Sequence, residues 1–375
     1  MIREATRHDI DALLDIENRC FSGDKLSRRR FRYLLTQAHA VTLAEQTRGT
    51  IRGYAMVLFN AATSHARLYS LAVDPAHQGH GIATTLLAAS EQCAVDHECI
   101  SLRLEIRHDN SPSIQLFLKS GYRQFGVIDD YYEDHMSALR FEKTLAPHLQ
   151  PDMVSVPYYR QTLEFTCGPA ALMMAMKSLD PELALERKLE LRIWRESTTI
   201  FMAAGHGGCG PYGLALSAYH RGFDVEIYVN DTGALFIDSV RNPRKKDVIR
   251  LVQEDFEQEL QDHGIPVFYE SLHADAIQEK FDQGGIPVVL ISSYRIYGEK
   301  EPHWVVVTGF DEHYIYVHDP FVDSAKGKTP LDCINMPILK KDFERMARYG
   351  KAGQKAVIIL KERPAQAGKK AMAAR

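Results

Sequence analysis

QTLEFTCGPAALMMA, Gln161 to Ala175, places a cysteine and a Gly-Pro pair at the head of an apolar segment, six residues after a glutamine. Leu172, Ala175, Met176 and Leu179 recur at i, i+3, i+4 and i+7, so the spacing predicts a helix, with Pro169 in the first turn where a proline is tolerated. Cys167 then stands at the helix N-terminus. Unpaired backbone N–H groups and the positive end of the macrodipole favour an anion there, the charge state a nucleophilic cysteine needs. An isolated cysteine at a helix start is more often a small buried hydrophobe, so the reading depends on what the rest of the chain supplies.

A nucleophilic cysteine requires a base, and the base requires an orienting group. EPHWVVVTGFDEHYIYVHDP, Glu301 to Pro320, offers both in what reads as a β-hairpin. A turn centred on Asp311 would set His303 directly opposite Asp319 on one face, although a one-residue slip would separate them. Gln161 adds a neutral donor for a developing oxyanion beside the Cys167 backbone N–H. His313 and His318 are less well placed than Asp319 to act as partners. Trp194 and Trp304 read as packing residues. His206 and Cys209 form an H-x-x-C without a second pair, so no metal is expected.

A chain of 375 residues with 45% hydrophobic and 25% charged composition suffices for two domains with separate cores. The net charge of -4 gives no basic footprint for nucleic acid. No apolar run approaches the roughly 18 residues of a membrane span, and the N-terminus is charged throughout, so the expectation is a cytoplasmic protein with no membrane partner. Six scattered cysteines, at 20, 93, 99, 167, 209 and 333, do not suggest a disulfide framework. APHLQPDM carries two prolines and no periodicity, which places a linker at residues 146–153. The expected domains are 1–145, α/β with strands and helices alternating, and 154–363, α+β with helices early and a sheet late. The small, basic tail 364–375 is expected to be disordered.

In the first domain, LAVDPAHQGHGIATTLLAAS, Leu71 to Ser90, changes from an extended to a helical period at Gly81. Gly79 and Gly81 allow close backbone approach, and the N–H groups up to Thr84 converge on a helix N-terminus, a cradle for phosphate. The turn lacks both the Lys-Ser/Thr of a triphosphate loop and the dinucleotide G-x-G-x-x-G.

Gln78-Gly79-His80-Gly81-Ile82-Ala83 resembles the pyrophosphate-binding signature of the GNAT acetyltransferases. LRLEIRHDNSPSIQLFLKSGY is similar to that family's next strand and Asn-led helix, and DYYEDHMSALRFEK to its last hairpin. The resemblance, nearest to the ribosomal-protein-alanine acetyltransferases, implies a mixed twisted sheet flanked by helices and acetyl-CoA as cofactor. It implies binding by Leu71, Val73, Gln78, Gly79, His80, Gly81, Ile82, Ala83 and Thr84, with Asn110 on the pantetheine arm. Tyr131, or its neighbour Tyr132, matches the general acid, and Glu105 is the remaining base candidate, though it could equally pair with an arginine on the strand surface. Phe117 and Leu118 stand where relatives carry a catalytic tyrosine and a glutamate.

Gln161, Cys167-Gly168-Pro169-Ala170, His303 and Asp319-Pro320 resemble the papain-like bacteriocin-processing peptidases, which cleave after a double glycine. By that resemblance Cys167 attacks, His303 is base then acid, Asp319 orients it and Gln161 builds the oxyanion hole. The substrate implied is a peptide or protein, ribosomally made peptides included. The stretch Gly205 to Phe223 and the fusion itself leave a double-glycine substrate open. Two functional readings follow: a bifunctional acetyltransferase and cysteine peptidase or amidase, or an acetyl-CoA-sensing domain that regulates a cysteine peptidase or acyltransferase.

Overall fold

Alternation in Ser101 to Arg107 becomes a central strand in the first of two sheets. The computed structural model describes residues 1–60, 62–198, 207–237, 240, 242–324 and 328–363, in two units, Met1–Gln150 and Pro151–Arg375. The tail 364–375 and His206 lie outside the described residues.

The first unit runs β1 (Ile2–Glu4), α1 (Ile10–Cys20), α2 (Arg28–Thr36), β2 (Ala40–Thr47), β3 (Thr50–Phe59), β4 (His65–Val73), α3 (Ile82–Asp96), β5 (Ser101–Arg107), α4 (Ser111–Lys119), β6 (Arg123–Ile128) and β7 (Ala138–Thr144). The sheet order is β1-β2-β3-β4-β5-β7-β6. Leu102, Leu104 and Ile106 of β5 face a core with Leu86 and Leu87 of α3, while Arg103, Glu105 and Arg107 lie on the opposite sheet face, half-buried. A second layer of core on the other sheet face joins Leu13 and Ile16 of α1 to Phe31 of α2 and Tyr54 of β3.

Two local features open this sheet. Pairing of β3 with β4 shifts between Met56 and Val57, so β4 carries a bulge at Tyr69. Parallel β4 and β5 pair only through His65↔Ser101, Ala66↔Leu102 and Arg67↔Arg103. Beyond Arg67 the two strands are unpaired with each other, which leaves backbone groups facing the gap between them.

The second unit contains β8 (Asp152–Met153), α5 (Cys167–Leu179), α6 (Arg187–Ser197), α7 (Pro211–Tyr219), β9 (Phe223–Val229), α8 (Pro243–Asp262), β10 (Val267–Phe268), α9 (Ala274–Asp282), β11 (Ile286–Ser292), α10 (Tyr294–Tyr297), β12 (Pro302–Phe310), β13 (Tyr314–His318), β14 (Met336–Leu339), α11 (Lys340–Met346) and β15 (Ala356–Glu362). The sheet order is β10-β9-β15-β11-β12-β13-β14, and β8 pairs with β12. Asp152 and Met153, at the end of the stretch read as a linker, form β8. Its closeness requires Gly309, where a Cβ would lie 2.3 Å from Met153 Sδ and 2.5 Å from the Asp152 carbonyl.

The expected order of helices early and a sheet late is broken by β9, which falls between α7 and α8. Phe223, Val225, Ile227 and Val229 alternate toward the core, a period-two signal with a helix on either side. The helix at Cys167 also differs from a one-faced amphipathic helix. All residues from Gly168 to Met176 are buried, because α5 packs on the sheet and on α6 and α7.

Candidate active sites

Cys167 is the first residue of α5, so its backbone N–H is among the first-turn donors without an intrahelical partner. The adjacent Gly168 is closely packed: a Cβ there would lie 3.1 Å from Leu214 and 3.2 Å from Trp304, so both side chains would have to give by a few tenths of an ångström. Trp304 is fixed in turn by its Nε1–H, which donates to the Cys209 carbonyl at 3.1 Å.

His303, on β12, is buried and bridges Cys167 and Asp319. Its Nε2 is 2.7 Å from Asp319 Oδ1, which leaves Nδ1 for the thiol. Burial pulls the imidazole down, but the Asp319 carboxylate and Cys167, both hydrogen-bonded to it, outweigh this and push it up to about 10. Burial works against charge on Asp319 as well, yet His303, Tyr297 and a backbone donor hold it below the usual carboxylate range.

The register differs from the expected one. Val306 pairs with His318 and Val307 with Val317, while Gly309 pairs with Tyr316 and Phe310 with Ile315, so Thr308 is a bulge. Asp311 starts the turn by accepting from the backbone N–H of His313 and Tyr314, each at 2.8 Å, which moves the turn centre past Asp311. Continued past His318, the register would place Asp319 opposite Val305, two residues from His303. A displacement of two keeps both side chains on one face, and diagonal neighbours remain within reach.

His318, next in sequence to Asp319, is structural. Its Nε2–H donates to the Val156 carbonyl at 2.8 Å and its Nδ1 accepts from the Asn335 N–H at 3.0 Å. Burial holds its imidazole below its ordinary value.

Gln161 is 6% exposed and lies in the same loop as Thr166, but its amide is engaged elsewhere. Nε2 donates to the carbonyls of Leu163 at 2.8 Å and Glu164 at 3.2 Å. Its Oε1 has no partner among the described residues. An oxyanion role therefore requires the amide to turn away from these carbonyls.

Two residues of this site escape the sequence reading. Tyr297 donates through Oη to Asp319 Oδ2 at 2.5 Å, and burial followed by the Asp319 charge raises its phenol. Asp319 Oδ1 also accepts from the Phe321 N–H at 2.9 Å. Glu190, fully buried on α6, accepts from the Thr162 N–H at 2.8 Å, Thr162 Oγ1 at 2.6 Å, Tyr159 Oη at 3.0 Å, and Thr166 Oγ1. One carboxyl group thus fastens the loop that delivers Gln161 and Cys167. Its sequence signal is a glutamate at i relative to buried Ile193 and Ser197 at i+3 and i+7. Tyr297 carries no comparable signal.

In the first unit, Gly79 and Gly81 have φ of +78° and +75°, and a Cβ on either would meet nothing within 4 Å. Their backbone conformation, not crowding, is what favours glycine. Gly81 caps α3 without a side-chain hydrogen bond, leaving the first-turn N–H groups of Ile82, Ala83 and Thr84 toward the turn. Gln78 Nε2 donates to the Val73 carbonyl at 3.2 Å and His80 Nδ1 lies 2.9 Å from the Gln78 carbonyl, so both side chains brace the turn. Leu71 and Val73 are on β4 past its last pairing with β5. Asn110 Oδ1 caps α4 at the Ser113 N–H, 3.2 Å.

Arg67, not anticipated from sequence, ties the two remaining candidates together. Its Nε donates to Glu105 Oε2 at 2.7 Å and its Nη2 to Tyr131 Oη at 2.5 Å. Guanidinium can only donate, so the Tyr131 hydroxyl proton is not committed to Arg67. Burial raises the Tyr131 phenol, with Arg67 opposing. Tyr132 stacks edge-on to Tyr131 at 5.0 Å and lies under Arg107. Phe117 is buried edge-on to Tyr122, and Leu118 is exposed.

Residues 10–122 match the Acetyltransferase (GNAT) family and residues 156–361 the Peptidase_C39 like family. The N-alpha-acetyltransferase RimI of Mycobacterium tuberculosis is 28% identical over 34% of this chain and 80% of its own length. The N-terminal acetyltransferase A complex catalytic subunit NAA10 of Arabidopsis thaliana is 28% identical over 38% of this chain and 77% of its own. The uncharacterized protein ML0378 of Mycobacterium leprae is 27% identical, and the match spans only 37% of its length. Among solved structures, the ribosomal-protein-S18-alanine N-acetyltransferase from Escherichia coli is 22% identical, with a TM-score of 0.36 over 39% of this chain and 93% of its own. The second match takes in more than half of the sequence, so this chain belongs to the Peptidase_C39 like family, with an acetyltransferase (GNAT) module ahead of it.

Proposed function

We propose that the protein is a bifunctional enzyme, an acetyl-CoA-dependent N-acetyltransferase joined to a Cys-His-Asp thiol peptidase or amidase, with a peptide or protein as substrate. The observation that carries the second activity is His303 held between Cys167 and Asp319 at the start of α5. Cys167 Sγ, as the thiolate whose proton His303 holds, bonds to the substrate carbonyl carbon, and the carbonyl π pair moves onto the oxygen, steadied by the Cys167 backbone N–H and a reoriented Gln161 amide. His303 gives its proton to the departing amine as the C–N bond breaks. Water or a second amine then displaces the thiolate, its proton passing to His303.

For the first activity, the residues fit an acetyl-CoA pyrophosphate and pantetheine. The glycine turn presents the N–H groups of residues 79 to 84, and parted β4 and β5 offer backbone at Leu71 and Val73. Asn110, at the head of α4, would contact the pantetheine arm. The bound cofactor would supply an activated acetyl thioester. Tyr131 is poised to donate a proton to the leaving sulfur, and Glu105 is the carboxylate available to receive the amine proton. The RimI and NAA10 names support a peptide or protein N-terminus as acceptor.

Phe117 and Leu118 favour a second reading, in which the first unit binds acetyl-CoA without turning it over. The test is incubation of intact protein with acetyl-CoA and peptides, followed by free-thiol release and mass spectrometry. Thiol release lost in Tyr131→Phe, and peptide cleavage lost in Cys167→Ala, are expected. Thiol release unchanged in Tyr131→Phe, or absent in the wild type despite acetyl-CoA binding, overturns the first half. Cleavage that persists in Cys167→Ala overturns the second.

A further inference from the structure

Remote from His303 and Cys167 in sequence, α7 and α8 come close at two places. At Gly213 a Cβ would lie 2.7 Å from Ser197 Cα and 2.9 Å from the Phe256 ring, so only glycine lets α8 seat Phe256 against α7. Seven residues on from Gly213 and Phe256 stand His220 and His263, the C-caps of α7 and α8, and Glu259 lies one turn before His263.

His220 Nε2 is 3.1 Å and His263 Nε2 4.0 Å from the same atom, Glu259 Oε1. One ligand atom from each of the three side chains lies within 4.8 Å of the others. The imidazole rings stand edge to face, 5.7 Å between centroids. Among the described residues neither imidazole has a polar side-chain partner other than Glu259. Glu259 and His263 are i, i+4 on one helix and therefore project from one face, while His220 comes from the end of the neighbouring helix.

We propose that His220, Glu259 and His263 bind a zinc ion that clamps the C-terminal ends of α7 and α8. Two neutral imidazoles and one carboxylate form a donor set that zinc takes, with bonds of about 2.0 to 2.2 Å and a tetrahedral arrangement. Such bonds place ligand atoms roughly 3.3 Å apart, so groups now within 4.8 Å of one another need to close by at most about 1.5 Å. Side-chain exposures of 47% for His220, 38% for Glu259 and 39% for His263 allow that movement and leave the fourth position to water. Buried Gly213 and partly buried Phe256 fix the two helices, which makes the site a product of their packing.

The experiment is titration with zinc chloride of full-length protein carrying Cys167→Ser, followed by calorimetry and thermal unfolding. That background removes the thiol of Cys167 as a competing ligand. One zinc per chain is expected, with melting raised by about 5 to 10 °C at a hundredfold excess over the dissociation constant. His220→Ala, Glu259→Gln and His263→Ala should each weaken binding by about tenfold or more and remove the thermal shift. All three positions are solvent-accessible, so the metal-free variants should melt near their parent. A cobalt-substituted sample should show ligand-field bands without thiolate charge transfer. Binding unaltered by the three substitutions, thiolate charge transfer, or no zinc uptake would each overturn the site.

Discussion

His303 and Asp319 are diagonal, not opposite, neighbours across β12 and β13, and their side chains meet at 2.7 Å. The bulge at Thr308 absorbs the odd residue between the turn and the pair, so the even offset keeps both groups on the face that Cys167 approaches. The consequence is a buried cation-anion pair whose third member is the sulfur of Cys167.

His303 should govern the chemistry of Cys167. Iodoacetamide labelling at neutral pH, read by peptide mapping, is expected to fall by about tenfold or more in His303→Ala, because the cation beside the sulfur is lost. Equal rates would mean that Cys167 is structural.

The pair should leave a signature in stability against pH. His303 is raised to about 10, so its contribution is complete below the ordinary imidazole value of about 6.5 and is lost as pH rises toward 10. Asp319 is lowered, so its contribution is present above about 4 and is lost as pH falls through its folded value. The margin of wild type over His303→Gln in urea unfolding should therefore be largest between about pH 4 and 6.5 and shrink through the alkaline range. A margin that grows from pH 7 to 10 contradicts this assignment.

Tyr297→Phe removes one of three donors to a buried carboxylate. A loss of about 1 to 3 kcal/mol in unfolding free energy is expected. Cys167 labelling should slow with it, since Asp319 would no longer be held from both oxygens. A stability loss with labelling unchanged would assign Tyr297 to packing alone.

Glu190→Ala strands four donors around Tyr159, Thr162 and Thr166. It should cost about 3 kcal/mol or more and loosen the Gln161 to Cys167 loop, seen as faster amide exchange there. Glu190→Gln keeps acceptor and shape on one side and should recover part of both. Exchange confined to the far end of α6 would show that the loop is held otherwise.

In the first unit, Tyr131→Phe should lower acetyl transfer by about 10² to 10⁴ while coenzyme A binding is retained. Gly79→Ala and Gly81→Ala should do the reverse, weakening coenzyme binding, and each adds about 1 to 2 kcal/mol of backbone strain. Calorimetry with coenzyme A separates the two classes.

Much was legible because it was local. The helix at Cys167, the strand-turn-helix of Leu71 to Ser90 and the face of β5 bearing Glu105 follow from period and from glycine and proline placement, which depend on neighbours in the chain. The strand β9 was legible too, in the alternation Phe223, Val225, Ile227 and Val229, but helical sequence on both sides masked it.

Chain-local spacing specifies which residue types are available and the local element of each: Cys167 at a helix head, His303 and Asp319 on one hairpin, and glycines before α3. Tertiary structure decided the partners. The β12–β13 register depends on where Asp311 places the turn and on a bulge at Thr308, a choice of hydrogen bonds that one-residue differences in spacing do not encode. Tyr297 reaches Asp319, Arg67 joins Glu105 to Tyr131, and Glu190 fastens the Cys167 loop across separations of 22 to 64 residues, because packing, not chain proximity, brings those polar groups out of water together.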